Sequence, residues 1–132
     1  MQFEVFTLLP EIFPPYLESS ILNRARQKGL IDVRVHNIRD YTHDKHHTTD
    51  DTPYGGGGGM ILKPDVVGRA VESVLEGAPP DTPVLLTTPQ GRVFSHAIAI
   101  ELAQHERVII LCGHYEGIDD RVRELVVTDE IS

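Results

Sequence analysis

The chain of 132 residues carries 12 Lys plus Arg against 20 Asp plus Glu, a formal charge of −8, with 40% hydrophobic residues, 6% aromatic residues and no Trp; this suits one domain spanning 1–132, and the aliphatic runs exclude a disordered tail. Cys112 is the only cysteine, which excludes an intrachain disulfide framework, and no apolar run approaches the roughly 20 residues of a bilayer span, so a cytoplasmic protein without a membrane segment is expected. The acidic balance repels polyphosphate and argues against non-specific binding of nucleic acid.

Residues 2–9 alternate and then become continuously apolar before Pro10, as a strand ending at a loop does. Pro14 and Pro15 fit the first turn of a helix, where a missing N–H has no partner to lose, so a helix is expected to about Lys28 with Gly29 as its stop. Residues 31–36 alternate as a second strand, with Ile31, Val33 and Val35 on one face. From Asn37 to Gly59 the pattern collapses into polar residues and glycine, a stretch too long for a simple connection. Val66, Val67, Ala70, Val71, Val74 and Leu75 then fall at helical spacing, opened by Pro64 and Asp65 and closed by Gly77. Val84, Leu85 and Leu86 make a short buried strand that runs into Thr87-Thr88-Pro89-Gln90-Gly91. A helix capped by Ser95 should carry Ala97, Ile98, Ile100, Glu101 and Leu102. Arg107–Cys112 reads as a fully buried strand. Asp119 or Asp120 caps a short helical turn through Val122, and Leu125, Val126 and Val127 begin another strand. Strand alternating with helix is the signature of an α/β domain with a parallel sheet, whose ligands bind beyond the carboxyl ends of the strands. Here those ends are residues 87–91 and 113–117.

Three segments carry candidate chemistry. The run Gly55-Gly56-Gly57-Gly58-Gly59 holds backbone N–H groups that could cradle an anion or a base edge, although a surface loop is the plainer reading because neither a Walker pattern nor GxGxxG is present. His43, His46, His47, Asp40, Asp44, Asp50 and Asp51 crowd one polar stretch. A metal site on His43, His46 and Asp50 would support a metal-dependent hydrolase, but no helical framework fixes such ligands, and acid/base work or base-edge hydrogen bonding suits the loop better; no metal is expected. Gly113-His114-Tyr115-Glu116-Gly117 follows a strand end, where two glycines permit a tight backbone around a flat ligand and Glu116 can accept from donor edges. Cys112 closes an apolar run with no base beside it and reads as a buried apolar residue, while His36, His96 and His105 are assigned to surface or packing roles.

Taken together, Thr7-Leu8-Leu9-Pro10-Glu11-Ile12-Phe13, then Arg39-Asp40-Tyr41-Thr42-His43-Asp44-Lys45-His46 through Asp50-Asp51-Thr52-Pro53-Tyr54-Gly55-Gly56-Gly57, then Pro89-Gln90-Gly91, then Cys112-Gly113-His114-Tyr115-Glu116-Gly117-Ile118-Asp119 resemble the bacterial tRNA (guanine-N1)-methyltransferases of the TrmD family. The likeness covers essentially the whole chain, in the family's order and spacing. It implies a Rossmann-like parallel-sheet domain of the SPOUT superfamily with a trefoil knot, and a homodimer that methylates N1 of the guanine 3′ of the anticodon in tRNA, using S-adenosylmethionine. It also implies that Leu86, Thr87, Thr88, Pro89, Gly91, Gly113, Tyr115, Gly117 and Ser132 enfold the cofactor. Glu116 would contact the guanine, and His46, Asp50 and Gly59 would cover it from the partner subunit. Two departures are mild: Thr88 stands where the family commonly has Ser, and Gly58 where it often has another small residue or Pro. The likeness stops at Glu130-Ile131-Ser132, ahead of the family's next glycine-rich loop, so the resemblance implies a carboxy-terminally shortened domain, an incomplete knot and a general base beyond Ser132. On that basis the chain alone is expected to be nearly inactive, the alternative being a non-catalytic binding or dimerisation module. Basic tRNA contacts would then lie beyond this segment or in local clusters such as Arg24, Arg26 and Lys28.

Overall fold

A computed structural model describes residues 1–42, 50–51, 61–113 and 120–132. In chain order the strands are β1 (Gln2–Thr7), β2 (Asp32–Asn37), β3 (Asp50–Asp51), β4 (Ile61–Leu62), β5 (Val84–Arg92), β6 (Arg107–Cys112) and β7 (Asp129–Ile131). The α-helices are α1 (Phe13–Leu17), α2 (Ser20–Gln27), α3 (Pro64–Leu75), α4 (His96–Ala103) and α5 (Asp120–Leu125), and 3-10 turns cover Pro10–Ile12 and Ile38–Tyr41. Five strands form one all-parallel sheet in the order β2-β1-β6-β5-β7, and β3 pairs antiparallel with β4. The expected α/β architecture is therefore present.

Both faces of this sheet are covered, which is why its inner strands read as apolar runs. On one face Phe6, Leu86, Ile109 and Leu111 meet Val67, Ala70 and Val71 of α3 and Val122 of α5. On the other, Leu85, Val108 and Ile131 meet Ile98 of α4. Alternation along β5 and β6 sends neighbouring residues to opposite cores. The turn signals act as read: Gly29 and Gly77 take left-handed φ values of 74° and 77°, and the Ser95 hydroxyl accepts from the Ile98 N–H at 3.3 Å to cap α4.

Four expectations need correction. The single helix to Lys28 is two helices, α1 and α2, broken where Ser20 adopts φ 51°, a left-handed conformation that a continuous helix excludes. Residues 125–127 do not begin a strand: Leu125 closes α5, Val126 and Val127 pack against the α3 side of the core, and β7 starts at Asp129. The polar stretch after β2 contains a core residue, because Ile38 is fully buried and the Asn37 side chain caps its 3-10 turn by accepting from the Arg39 N–H at 3.0 Å. Finally, β5 does not stop near Leu86 but continues to Arg92.

Candidate active site

The carboxyl edge of the sheet is built where β5, β6 and β7 end side by side. Thr87 pairs with Cys112 of β6 and with Ile131 of β7, and Arg92 pairs with the same Ile131. Residues 88–91 are therefore expelled from the ladder between two contacts to one residue. The sequence explains the excursion. Pro89 has no N–H to donate to a ladder, so pairing must open there. Inside the excursion the Thr88 hydroxyl donates to Gln90 Oε1 at 3.2 Å and accepts from the Gln90 N–H at 3.4 Å, a side-chain turn. Gly91 closes it because a Cβ there would lie 2.5 Å from the Ile131 backbone nitrogen.

Thr87 joins this excursion to the next strand end. Its hydroxyl accepts from the Gly113 N–H at 3.3 Å and donates to the Leu111 carbonyl at 3.5 Å. A Cβ on Gly113 would stand 3.1 Å from the Thr87 carbonyl, so glycine is what lets β5 and the β6 exit approach so closely. Beyond β7, the Ser132 N–H donates to the Arg92 carbonyl at 2.9 Å and its carbonyl accepts from the Phe94 N–H at 3.0 Å.

The structure thus brings together Leu86, Thr87, Thr88, Pro89, Gly91, Gly113 and Ser132 of the expected cofactor residues. Leu86 belongs to the core with 1% of its surface exposed, and its backbone lies between Leu111 of β6 and Glu130 of β7, so it sets where the rim begins. Asp50 lies in β3, paired with Leu62 of β4. His46, Gly59, Tyr115, Glu116 and Gly117 lie outside the described residues, as do His43 and the glycine run. Among the described residues no cluster of His, Cys, Asp or Glu could hold a metal, and no helix is long and apolar enough to cross a membrane.

Electrostatics divide the edge in two. The excursion and Gly113 carry no formal charge, only hydroxyls, an amide and backbone groups. Behind them Arg92 donates from Nε and Nη2 to Asp129 Oδ2 at 3.0 and 2.6 Å, and from Nη2 to Glu101 Oε2 at 2.8 Å. The bonds to Glu101 and Asp129 raise the guanidinium pKa above its ordinary value. Burial pushes the Cys112 thiol up from its usual value, so it stays protonated at neutral pH, in keeping with a packing role. A hydrophilic cleft of about 370 Å³ opens beside this cluster, lined by Gln90, Gly91, Arg92, Arg123, Asp129 and Glu130 among others, and Arg123 Nε lies 3.1 Å from Glu130 Oε1. Arg92 and Asp129 are not among the site residues expected from the sequence. A cation directly after Pro-Gln-Gly is visible in the sequence, but its partner 37 residues away is not.

Of the cations suggested for RNA contact, Arg26 is committed to the fold, donating to the Leu17 carbonyl at 3.0 Å, whereas Arg24 and Lys28 are exposed. His36 packs, stacking on Phe6 with ring centroids 4.6 Å apart and bonding to Glu4.

Comparison with known proteins places this geometry. A family model described as tRNA (guanine-1)-methyltransferase TrmD matches residues 1–132. A protein of Dehalococcoides mccartyi (strain ATCC BAA-2266 / KCTC 15142 / 195) named tRNA (guanine-N(1)-)-methyltransferase is 56% identical over 132 residues, which are 100% of this chain and 53% of that protein. Proteins of the same name from Geotalea uraniireducens (strain Rf4) and Brevibacillus brevis are 54% and 52% identical over the whole chain, which spans 53% and 54% of their lengths. The crystal structure of tRNA (m1G37) methyltransferase from Aquifex aeolicus superimposes with a TM-score of 0.89 at 37% identity, covering 100% of this chain and 59% of that one. The chain spans about half the length of the curated relatives it matches.

Proposed function

The chain belongs to the tRNA (guanine-1)-methyltransferase family, and from that membership we propose that the protein transfers a methyl group from S-adenosylmethionine to N1 of the guanine 3′ of the tRNA anticodon. The observation that carries the reading is the family match across residues 1–132; its structural support is the meeting of residues 86–91 with Gly113 at adjoining strand ends. In open α/β sheets that rim is where ligands bind.

The residues present suit the cofactor. Among the described residues, the rim at 87–91 and Gly113 offers hydroxyls and backbone groups, which match the hydrogen-bonding edge of an adenosyl group. Thr87 and Thr88 would serve through backbone or hydroxyl, and Leu86, Pro89, Gly91, Gly113, Tyr115, Gly117 and Ser132 would complete the enclosure. When bound, S-adenosylmethionine supplies an electrophilic sulfonium methyl group.

The rest of the chemistry falls to the chain. N1 of neutral guanine carries a proton, so a base must take it, and the charge growing on O6 calls for hydrogen-bond donors. Burial raises the Cys112 thiol above its usual value, which suits it poorly to that role; following the family, the base is assigned to no residue of this chain. Glu116 is assigned to the guanine edge, with His46, Asp50 and Gly59 covering the base from the partner of a homodimer. Exposed Val93, Phe94 and Ile100 offer apolar surface for such an assembly. The target base must leave its stack to be reached. A substrate of unmodified tRNA would support a cytoplasmic location for this work.

The test is transfer of a labelled methyl group by the full-length protein to unmodified tRNA with guanine 3′ of the anticodon. Label is expected at N1 of that guanine and not in tRNA with adenine there. No transfer overturns the assignment. Cofactor binding without transfer would favour the non-catalytic binding module.

A further inference from the structure

Among the described residues, the side-chain hydrogen bonds of residues 88–91 are the local Thr88–Gln90 pair, and Gly91 lies against the Ile131 backbone. The segment is held at its two ends. The first is pinned by Thr87, whose hydroxyl holds the Gly113 N–H. The second is Arg92, the residue that rejoins the ladder opposite Ile131. Its carbonyl accepts from Ser132, and its guanidinium gathers Asp129 of β7 and Glu101 of α4 at 2.6 to 3.0 Å. Asp129 stands two positions before Ile131, the strand residue that both ends of the excursion grip.

We propose that Arg92 is a positioning residue for the cofactor loop: by clamping Asp129 and Glu101 it fixes where residues 88–91 re-enter the sheet, and so sets the affinity for S-adenosylmethionine. The proposal rests on the cofactor reading above. Arg92 touches neither cofactor nor substrate in this scheme; it acts through the loop. Arg92, Glu101 and Asp129 are partly exposed, and such ion pairs contribute little to global stability, so substitutions here are expected to leave the fold intact. One guanidinium serving two carboxylates from different elements needs the planar fork of arginine, which lysine lacks.

The test uses Arg92→Gln, Arg92→Lys and Asp129→Asn in the full-length protein, with two readouts: amide exchange at Gln90 and Gly91 without ligand, and calorimetric affinity for S-adenosylmethionine. Arg92→Gln is expected to speed exchange at both amides and weaken binding about tenfold, while β6 amides keep their protection. Arg92→Lys should recover part of both losses. Adding Asp129→Asn to Arg92→Gln should cost little more, because the two act as one unit. Unchanged exchange in Arg92→Gln overturns the clamp, and faster exchange with undiminished affinity overturns its role in cofactor positioning. If the unsubstituted protein binds no cofactor, the functional reading fails, and with it the affinity half of this proposal, whereas the exchange data still decide whether Arg92 anchors the loop. Should Arg92→Gln not fold, Asp129→Asn alone reads the same clamp.

Discussion

Glu4 is 2% exposed on β1, yet three polar neighbours converge on it: the Gln2 amide donates to one carboxyl oxygen, the His36 ring is hydrogen-bonded to the other, and Arg34 Nη1 lies 3.8 Å away. Gln2 in turn accepts from Arg107 Nη2 at 3.4 Å, and Arg107 Nη1 donates to the Val74 carbonyl at 2.9 Å. A polar chain thus ties β6, β1 and β2 to the end of α3. Burying a carboxyl group is unfavourable without such partners, and removing it strands those that depended on it. Glu4→Ala is expected to destabilise the protein by about 2 kcal/mol, seen as a lower urea midpoint at unchanged slope. A wild-type midpoint would mean that the chain of bonds contributes nothing. The sequence hides this residue. The alternation of Gln-Phe-Glu-Val does not mark Glu4 as buried, but Glu4 shares its face with buried Phe6 and is flanked by Arg34 and Ile109. Its burial is decided by residues about 30 and 105 positions away.

At the scale of elements, local chemistry made some boundaries legible and tertiary contacts concealed others. Pro64 at the start of α3, Gly77 after it and Ser95 before α4 act through neighbouring backbone groups, so their meaning is written beside them. Ser95→Ala is expected to cost about 1 kcal/mol and to raise amide exchange in the first turn of α4, because the Ile98 N–H loses its acceptor. Unaltered melting and exchange would show that the cap is replaced by solvent. By contrast, nothing in Pro14 to Lys28 announces the break at Ser20, a non-glycine residue in a left-handed conformation. The apolar Leu125-Val126-Val127 also misleads. A short apolar run fits a helix end and a strand equally, and here contact with the core under α3 decides it.

Across the whole molecule, β6 is central, with β1 on one side and β5 on the other, while among the described residues β2 has a sheet partner only in β1. Val108, Ile109 and Leu111 are fully buried. Their amides should therefore exchange only through global unfolding, whereas β2 opens locally; native-state hydrogen exchange in low denaturant is expected to give β6 the highest opening free energy and β2 a smaller one. Equal values would mean that the sheet opens as a single unit. Fold class was legible because strand and helix periods alternate along the chain. Strand order was not, since inserting β6 between β1 and β5 is a long-range choice that periodicity does not encode. The candidate site was legible at residues 87–91 and at Gly113, where glycine and polar groups follow apolar runs. The Arg92, Asp129 and Glu101 cluster was not, because it joins three elements separated along the chain.

The double grip on Ile131 has a consequence for how such a protein can vary. Thr87 and Arg92 meet the same residue of β7, so the strand register on either side is independent of what lies between them. A change of length confined to residues 88–90 would reshape one wall of the rim while both contacts to Ile131, and so the register of β5 on β7, stay in place. Gly91 is excepted, because a Cβ there meets the Ile131 backbone.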